Sequence, residues 1–84
     1  MNSDEIHSIS IPMGALTFTW RVGQEVKLDG TPGVMVSKII RDENNFFQFG
    51  VIRYIVCVRK PGSEDDIVWK TYEGPIPVTA TYKI

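Results

Sequence analysis

The chain has 84 residues, enough for one small domain spanning residues 1–84 and too few for a second core. Nine lysines and arginines against ten aspartates and glutamates give a net charge of −1, which excludes the strong overall positive charge of most nucleic-acid-binding domains. One cysteine and one histidine exclude an internal disulfide and a Cys/His zinc site, so we expect no cofactor.

The N-terminal part of the chain predicts two short strands. Residues 1–5 are polar and acidic and are expected to be mobile. Apolar and polar residues then alternate over Ile9–Met13 and again over Leu16–Trp20, which is the period of a strand with one buried face. The two segments form either a hairpin that turns through residues 12–15 or one long, kinked strand. Pro12 has no N–H to donate, so it indicates a sheet edge or the end of a strand.

The clearest feature of the sequence is a hairpin over residues 22–40. Val26 and Leu28 alternate with charged residues in its first strand, and the second strand is apolar from Val34 until it becomes polar at Arg41. Residues 29–33 form the predicted reversal, since two glycines that tolerate positive φ flank a proline that fixes its own φ.

A polar loop and a buried strand follow this hairpin. Residues Asp42–Phe49 combine turn-forming residues with adjacent aromatic residues, so at least one aromatic ring is expected to be exposed. Residues Gly50–Arg59 are almost continuously apolar, which predicts a central strand covered on both faces.

The C-terminal part predicts two more strands. Lys60–Asp66 is a turn-rich, acidic hairpin loop, and the strand Ile67–Glu73 after it is expected to point Trp69 inward and Lys70 outward. A Gly/Pro connection leads to a last alternating strand, Val78–Ile84. No segment keeps a helical period free of glycine and proline. The expected fold is therefore all-β, a small barrel or sandwich of five to seven short antiparallel strands.

Part of the central hairpin resembles a known family. The segments Val22–Leu28 and Val34–Val36, with Gly30 and Pro32 between them, are similar to the V-G-D-x-V-x-L, G-G-P and M-x-V pattern of small SH3-like barrel proteins of bacteria and phages. Gln24 replaces the acidic residue of that pattern. The resemblance implies an SH3-like barrel and a phage or mobile-element setting, and it transfers no functional residues.

No residue pattern indicates catalysis, so the chain is not expected to be an enzyme. His7 has no nucleophile at a recognisable spacing, and Cys57 lies in the most apolar segment, where burial makes a thiol inert. The acidic run Glu64–Asp66 lacks the ligand spacing of a calcium loop, which favours a solvated hairpin tip.

Two binding functions remain open. The first is recognition of a protein segment by an aromatic groove. Its candidate residues are Phe46, Phe47, Phe49, Tyr54, Trp69 and Tyr72. The same residues are also compatible with an ordinary core. The alternative is a nucleic-acid-binding SH3-like or Tudor-like barrel with a local basic patch. That patch would consist of Arg41, Arg53, Arg59 and Lys70.

A homodimer through an edge strand is a further alternative, with Val78–Ile84 or Ile9–Met13 pairing with its copy in a second chain. No apolar segment reaches the length of about 18 residues that a membrane-spanning helix needs, and the N-terminus lacks the layout of a signal peptide. We therefore expect a cytoplasmic protein without a membrane partner.

Overall fold

The computed structural model describes residues 5–43, 52–73 and 77–82. These residues form seven strands and no helix, which confirms the all-β prediction. The strands are β1 Ile6–Met13, β2 Leu16–Arg21, β3 Glu25–Leu28, β4 Thr31–Asp42, β5 Arg53–Arg59, β6 Ile67–Glu73 and β7 Thr79–Tyr82. Among the described residues, no helix is long and apolar enough to cross a membrane.

The strands pair in two antiparallel sheets. One sheet has the order β2-β1-β7, and the other has the order β3-β4-β5-β6. Together they curl into a small half-barrel, which agrees with the predicted SH3-like barrel. The expectation that residues 1–5 are mobile falls almost entirely outside the described residues, as does most of the loop at 42–49.

The β1–β2 segment is a hairpin, which settles the choice between a hairpin and a kinked strand. Met13 pairs with Leu16 across the turn, and Gly14 has a φ of 65°. Pro12 lies one residue before the end of β1, where a missing N–H costs least. Because β1 lies between β2 and β7, it is not a sheet edge. Strand β7 pairs with Ile6–Ser10, so Ile9 and Ser10 are not free to pair with a second chain, and a homodimer through an edge strand stays a prediction.

The β3–β4 reversal is shorter than the sequence predicted. Leu28 pairs directly with Thr31, so only Asp29 and Gly30 form the loop. Their φ angles of 51° and 76° are both positive, as a type I′ turn requires. Gly33, also at positive φ, lies inside β4, where the register with β3 shifts. Gly33, the second glycine of the predicted turn, is therefore part of a β-bulge and not of the turn.

Two bulges bend the four-stranded sheet. The register of β4 against β5 skips Ser37, and the register of β6 against β5 skips Trp69. An extra residue on one strand of an antiparallel pair increases the local twist and bends that strand. These irregularities give a sheet of four strands the curvature that a half-barrel needs.

The core lies between the two sheets, on what we call their inner faces. Among the described residues, its buried cluster is made of β-branched side chains, and half-buried aromatic and aliphatic residues pack against it: the cluster comprises Ile6, Ile9, Ile11, Val26, Val34, Val36, Ile39, Val56 and Val58. In β5, the consecutive residues Val56, Cys57 and Val58 are all buried, which confirms that this strand is covered on both faces there. The loop between β5 and β6 lies where the sequence predicted it.

The inner face of the β1–β2 hairpin is only partly covered. Ile9 and Ile11 are fully buried, whereas Met13, Leu16 and Phe18 are 50%, 65% and 43% exposed. The prediction of one buried face therefore fails at the turn end of this hairpin. Period-two alternation identifies which side chains share a face, and it does not determine how far the opposite sheet covers that face.

Candidate binding surface at strand β2

Three of the six aromatic residues proposed as a ligand groove lie in the described part of the chain. Tyr54, Trp69 and Tyr72 are half-buried and pack against the core. The other three, Phe46, Phe47 and Phe49, lie outside the described residues.

Trp69 and Tyr72 of β6 both contact Trp20 of β2. The sequence did not indicate Trp20 as a site residue. The rings of Trp20 and Trp69 are 4.9 Å apart, centroid to centroid, and cross at 76° in an edge-to-face arrangement. The Trp20 Nε1–H donates a hydrogen bond of 2.8 Å to Tyr72 Oη. These contacts link β2 to β6 through side chains, since no backbone pairing joins the two strands.

Lys70 does not point outward as predicted. It pairs with Val56, which is fully buried, so both side chains emerge on the inner face. The bulge at Trp69 shifts the alternation of β6 at this point. The Lys70 ammonium lies 4.8 Å from the Trp69 ring centroid and 5.9 Å from that of Trp20, both within cation–π range.

The structure does not gather the four proposed nucleic-acid contacts into one patch. Arg53 and Arg59 lie on the outer face of β5, opposite in direction to Val56 and Val58, whereas Lys70 is on the inner face of β6. Arg41 is near the end of β4.

Each of the three arginines also has a carboxylate partner. The shortest distances are 2.9 Å from Arg41 Nε to Glu43, 3.3 Å from Arg53 Nε to Glu73 and 2.9 Å from Arg59 Nη2 to Asp66. Such pairs reduce the positive potential that phosphate groups would meet. A hydrogen bond to Tyr82 is the main cause that raises the pKa of Arg41, so this side chain stays charged.

The outer face of the larger sheet carries a cluster around Asp66. The neighbouring Ser37 hydroxyl group, together with Arg59 and Lys38, lowers the pKa of the Asp66 carboxyl group. Beneath this cluster, burial raises the pKa of the Cys57 thiol, against a smaller opposing effect of Lys38. A buried thiol with a raised pKa is a poor nucleophile. No group of three or more potential metal ligands occurs among the described residues.

A shallow cavity of about 480 Å³ lies where β1 and β7 approach the end of β4. Its lining includes Ile6, Ile39, Arg41, Glu43 and Tyr82. Arg41, the cationic residue of this lining, already contacts both Glu43 and Tyr82. The cavity therefore presents no free charge to a ligand through this residue.

The exposed apolar side chains of the β1–β2 hairpin form a continuous surface, which we call the β2 strip: Met13, Leu16 and Phe18. Met13 pairs with Leu16, and Phe18 pairs with Ile11 in the next inner-facing position. Trp20, paired with Ile9, continues the same face toward the core. One end of the strip therefore lies next to the aromatic residues of β6, and the other end, at the β1–β2 turn, is exposed to solvent.

In the part of the chain that the structure describes, the strip lies on the least protected of the four sheet edges. Edge strands usually resist unwanted pairing by being short, charged or bulged. Strands β3 and β7 have four described residues each, and β6 carries a bulge and a lysine. Strand β2 has six residues, a regular register with β1 and no charged side chain before Arg21. Its outer backbone groups can therefore accept another strand.

No family model matches this chain, and neither a curated protein nor a solved structure shows a match to it.

Proposed function

We propose that this protein is a small, non-catalytic module that binds an extended protein segment, which adds as a strand beside β2. The observation that carries the proposal is the coincidence of an unprotected edge with an exposed apolar strip on the same strand. In strand addition, backbone hydrogen bonds supply affinity, and every second side chain of the added segment contacts the host sheet.

The energetics favour an apolar segment. Leu16 and Phe18 keep 65% and 43% of their surface in water, so a partner that covers both removes about half of each side chain from solvent. Full burial of such a side chain is worth about 1.5–3 kcal/mol, and half burial is therefore worth about 1 kcal/mol for each. Two such contacts with backbone pairing are typical of weak to moderate peptide binding.

Two features support a binding role over catalysis or nucleic-acid recognition. Cys57 is buried beneath Lys38 and Asp66, away from the strip. Arg53 and Arg59, two of the arginines that would contact phosphate groups, pair with carboxylates and lie on the outer face of β5, opposite to the inner face that carries Tyr54.

Selection from a displayed library of random linear peptides tests this function. We expect enrichment of peptides with apolar residues at alternate positions, and loss of their binding to the Phe18→Asp variant, because a charge on the strip opposes apolar contact. Val68→Asp is the matched control, since Val68 is 60% exposed but lies on the outer face of β6, where it pairs with Cys57. Circular dichroism verifies that both variants keep the fold.

The proposal is contradicted if no peptide is enriched. It is also contradicted if the enriched peptides bind wild-type protein and Phe18→Asp equally well. A concentration-dependent dimer that Phe18→Asp abolishes would instead identify a second copy of the chain as the natural occupant of β2.

A further inference from the structure

The charged side chains around β2 are positive. The β1–β2 hairpin, from Ile6 to Arg21, contains no aspartate or glutamate. Arg21 ends β2, and Lys70 of the neighbouring sheet lies against the ring of Trp20, the residue that precedes Arg21. The end of the strip nearest the aromatic cluster is therefore positive on both faces of the strand.

Lys70 differs from the three arginines of the predicted basic patch. Arg41, Arg53 and Arg59 all have carboxylate partners. Within residues 5–43, 52–73 and 77–82, no carboxylate lies within 4.0 Å of the Lys70 ammonium, which contacts two indole rings instead. A half-buried ammonium beside apolar rings interacts more strongly with a carboxylate than a fully solvated one does, because water screens the pair less.

Building on the proposed function, we propose that the segment bound at β2 is acidic at one end. A carboxylate of the segment pairs with Lys70 next to Trp20, while the apolar side chains of the segment cover the β2 strip. The charge of the surface and the absence of carboxylates from the whole hairpin specify this partner.

The period of a strand fixes the spacing within the segment. Leu16, Phe18 and Trp20 lie on one face of β2 at intervals of two residues. Side chains of the added strand that oppose them therefore occupy positions i, i+2 and i+4. The expected pattern is two apolar residues at i and i+2 and an aspartate or glutamate at i+4. A segment that adds in the opposite direction has the reverse order.

Four labelled peptides test this inference by fluorescence anisotropy with the full-length protein. Two contain valines at alternate positions with a glutamate at the C-terminal or the N-terminal end of the series, and the other two carry glutamine in place of that glutamate. We expect one of the two acidic peptides to bind about two- to fivefold more tightly than its glutamine counterpart, the upper part of the range for an ion pair at a protein surface. The difference should decrease with added salt.

Variants of Lys70 locate the effect. Lys70→Gln should remove the preference for glutamate over glutamine without weakening the glutamine peptide, and Lys70→Arg should retain it. Lys60→Gln is the matched control, since Lys60 is an exposed lysine in the β5–β6 loop. Equal binding of the acidic and amide peptides, or an equal preference in the Lys70→Gln variant, overturns the inference and leaves the proposed function intact. Binding of none of the four peptides also overturns it, and the library selection then decides whether β2 binds any segment.

Discussion

Removal of the Tyr72 hydroxyl group should destabilise the protein, because Trp20 Nε1–H donates to Tyr72 Oη at 2.8 Å. The donor belongs to a half-buried ring that also contacts Trp69 at 4.9 Å. A neutral hydrogen bond of this kind contributes about 0.5–1.5 kcal/mol, and the loss is larger when the remaining donor cannot reach water. We therefore expect Tyr72→Phe to lower the free energy of unfolding by about 1 kcal/mol.

Urea unfolding at equilibrium, followed by tryptophan fluorescence and circular dichroism, measures this change. In a domain of this size, 1 kcal/mol corresponds to a decrease in Tm of about 4–8 °C. Tyr54→Phe is the matched control, since Tyr54 is also half-buried against the core and pairs with Tyr72 across β5 and β6. Its hydroxyl group makes no side-chain hydrogen bond to the described residues, so we expect a much smaller change.

A double-mutant cycle isolates the hydrogen bond from the general effect of losing a hydroxyl group. Trp20→Phe removes the donor, Tyr72→Phe removes the acceptor, and the combined variant removes both. The coupling energy should be about 0.5–1.5 kcal/mol and stabilising. A coupling energy below about 0.3 kcal/mol, the usual scatter of additive pairs, would refute the claim that this contact joins the two sheets.

Three further predictions concern the turns and the outer face. Gly33→Ala should lower the Tm more than Gly30→Ala does. Both glycines have positive φ, but a Cβ at Gly33 would lie 3.0 Å from Pro61 Cγ. Equal decreases in Tm would show that this contact is unimportant. Asp66 has a lowered pKa when folded, so its contribution to stability is present above about pH 4 and is lost as the pH falls further. The urea midpoint of Asp66→Asn should therefore change less between pH 6 and pH 3 than that of the wild type, and parallel curves would contradict this. The buried Cys57 should react with a thiol reagent much more slowly in native buffer than in denaturing urea, and similar rates would show that the thiol is exposed.

Local patterns in the sequence predict the strands and turns well because these features depend on neighbouring residues. Alternation identifies β1, β2 and the inner faces of the sheets, and Asp29-Gly30 is a strong type I′ turn signal. The same alternation cannot distinguish Ile11, which is buried, from its pairing partner Phe18, which is 43% exposed. That difference depends on how far the second sheet extends over the hairpin, and no local pattern encodes it.

The candidate site depends even more on distant contacts. Trp20 meets Tyr72, 52 positions away in the sequence, and nothing near either residue indicates that they touch. The direction of Lys70 depends on the bulge at Trp69, which arises from the register between β5 and β6. The partners of the arginines depend on the same register, since Arg53 pairs with Glu73 directly across these two strands.

Amide hydrogen exchange, measured residue by residue with and without a selected peptide, examines strand addition at β2 most directly. Alternate backbone amides of Leu16–Arg21 should become protected when the peptide binds, because only every second N–H on an edge strand points away from its neighbour. The amides of β7, the other edge of the same sheet, should exchange at unchanged rates. Unchanged exchange throughout β2, with new protection at β7 or β6, would place the bound segment elsewhere and contradict the proposed function.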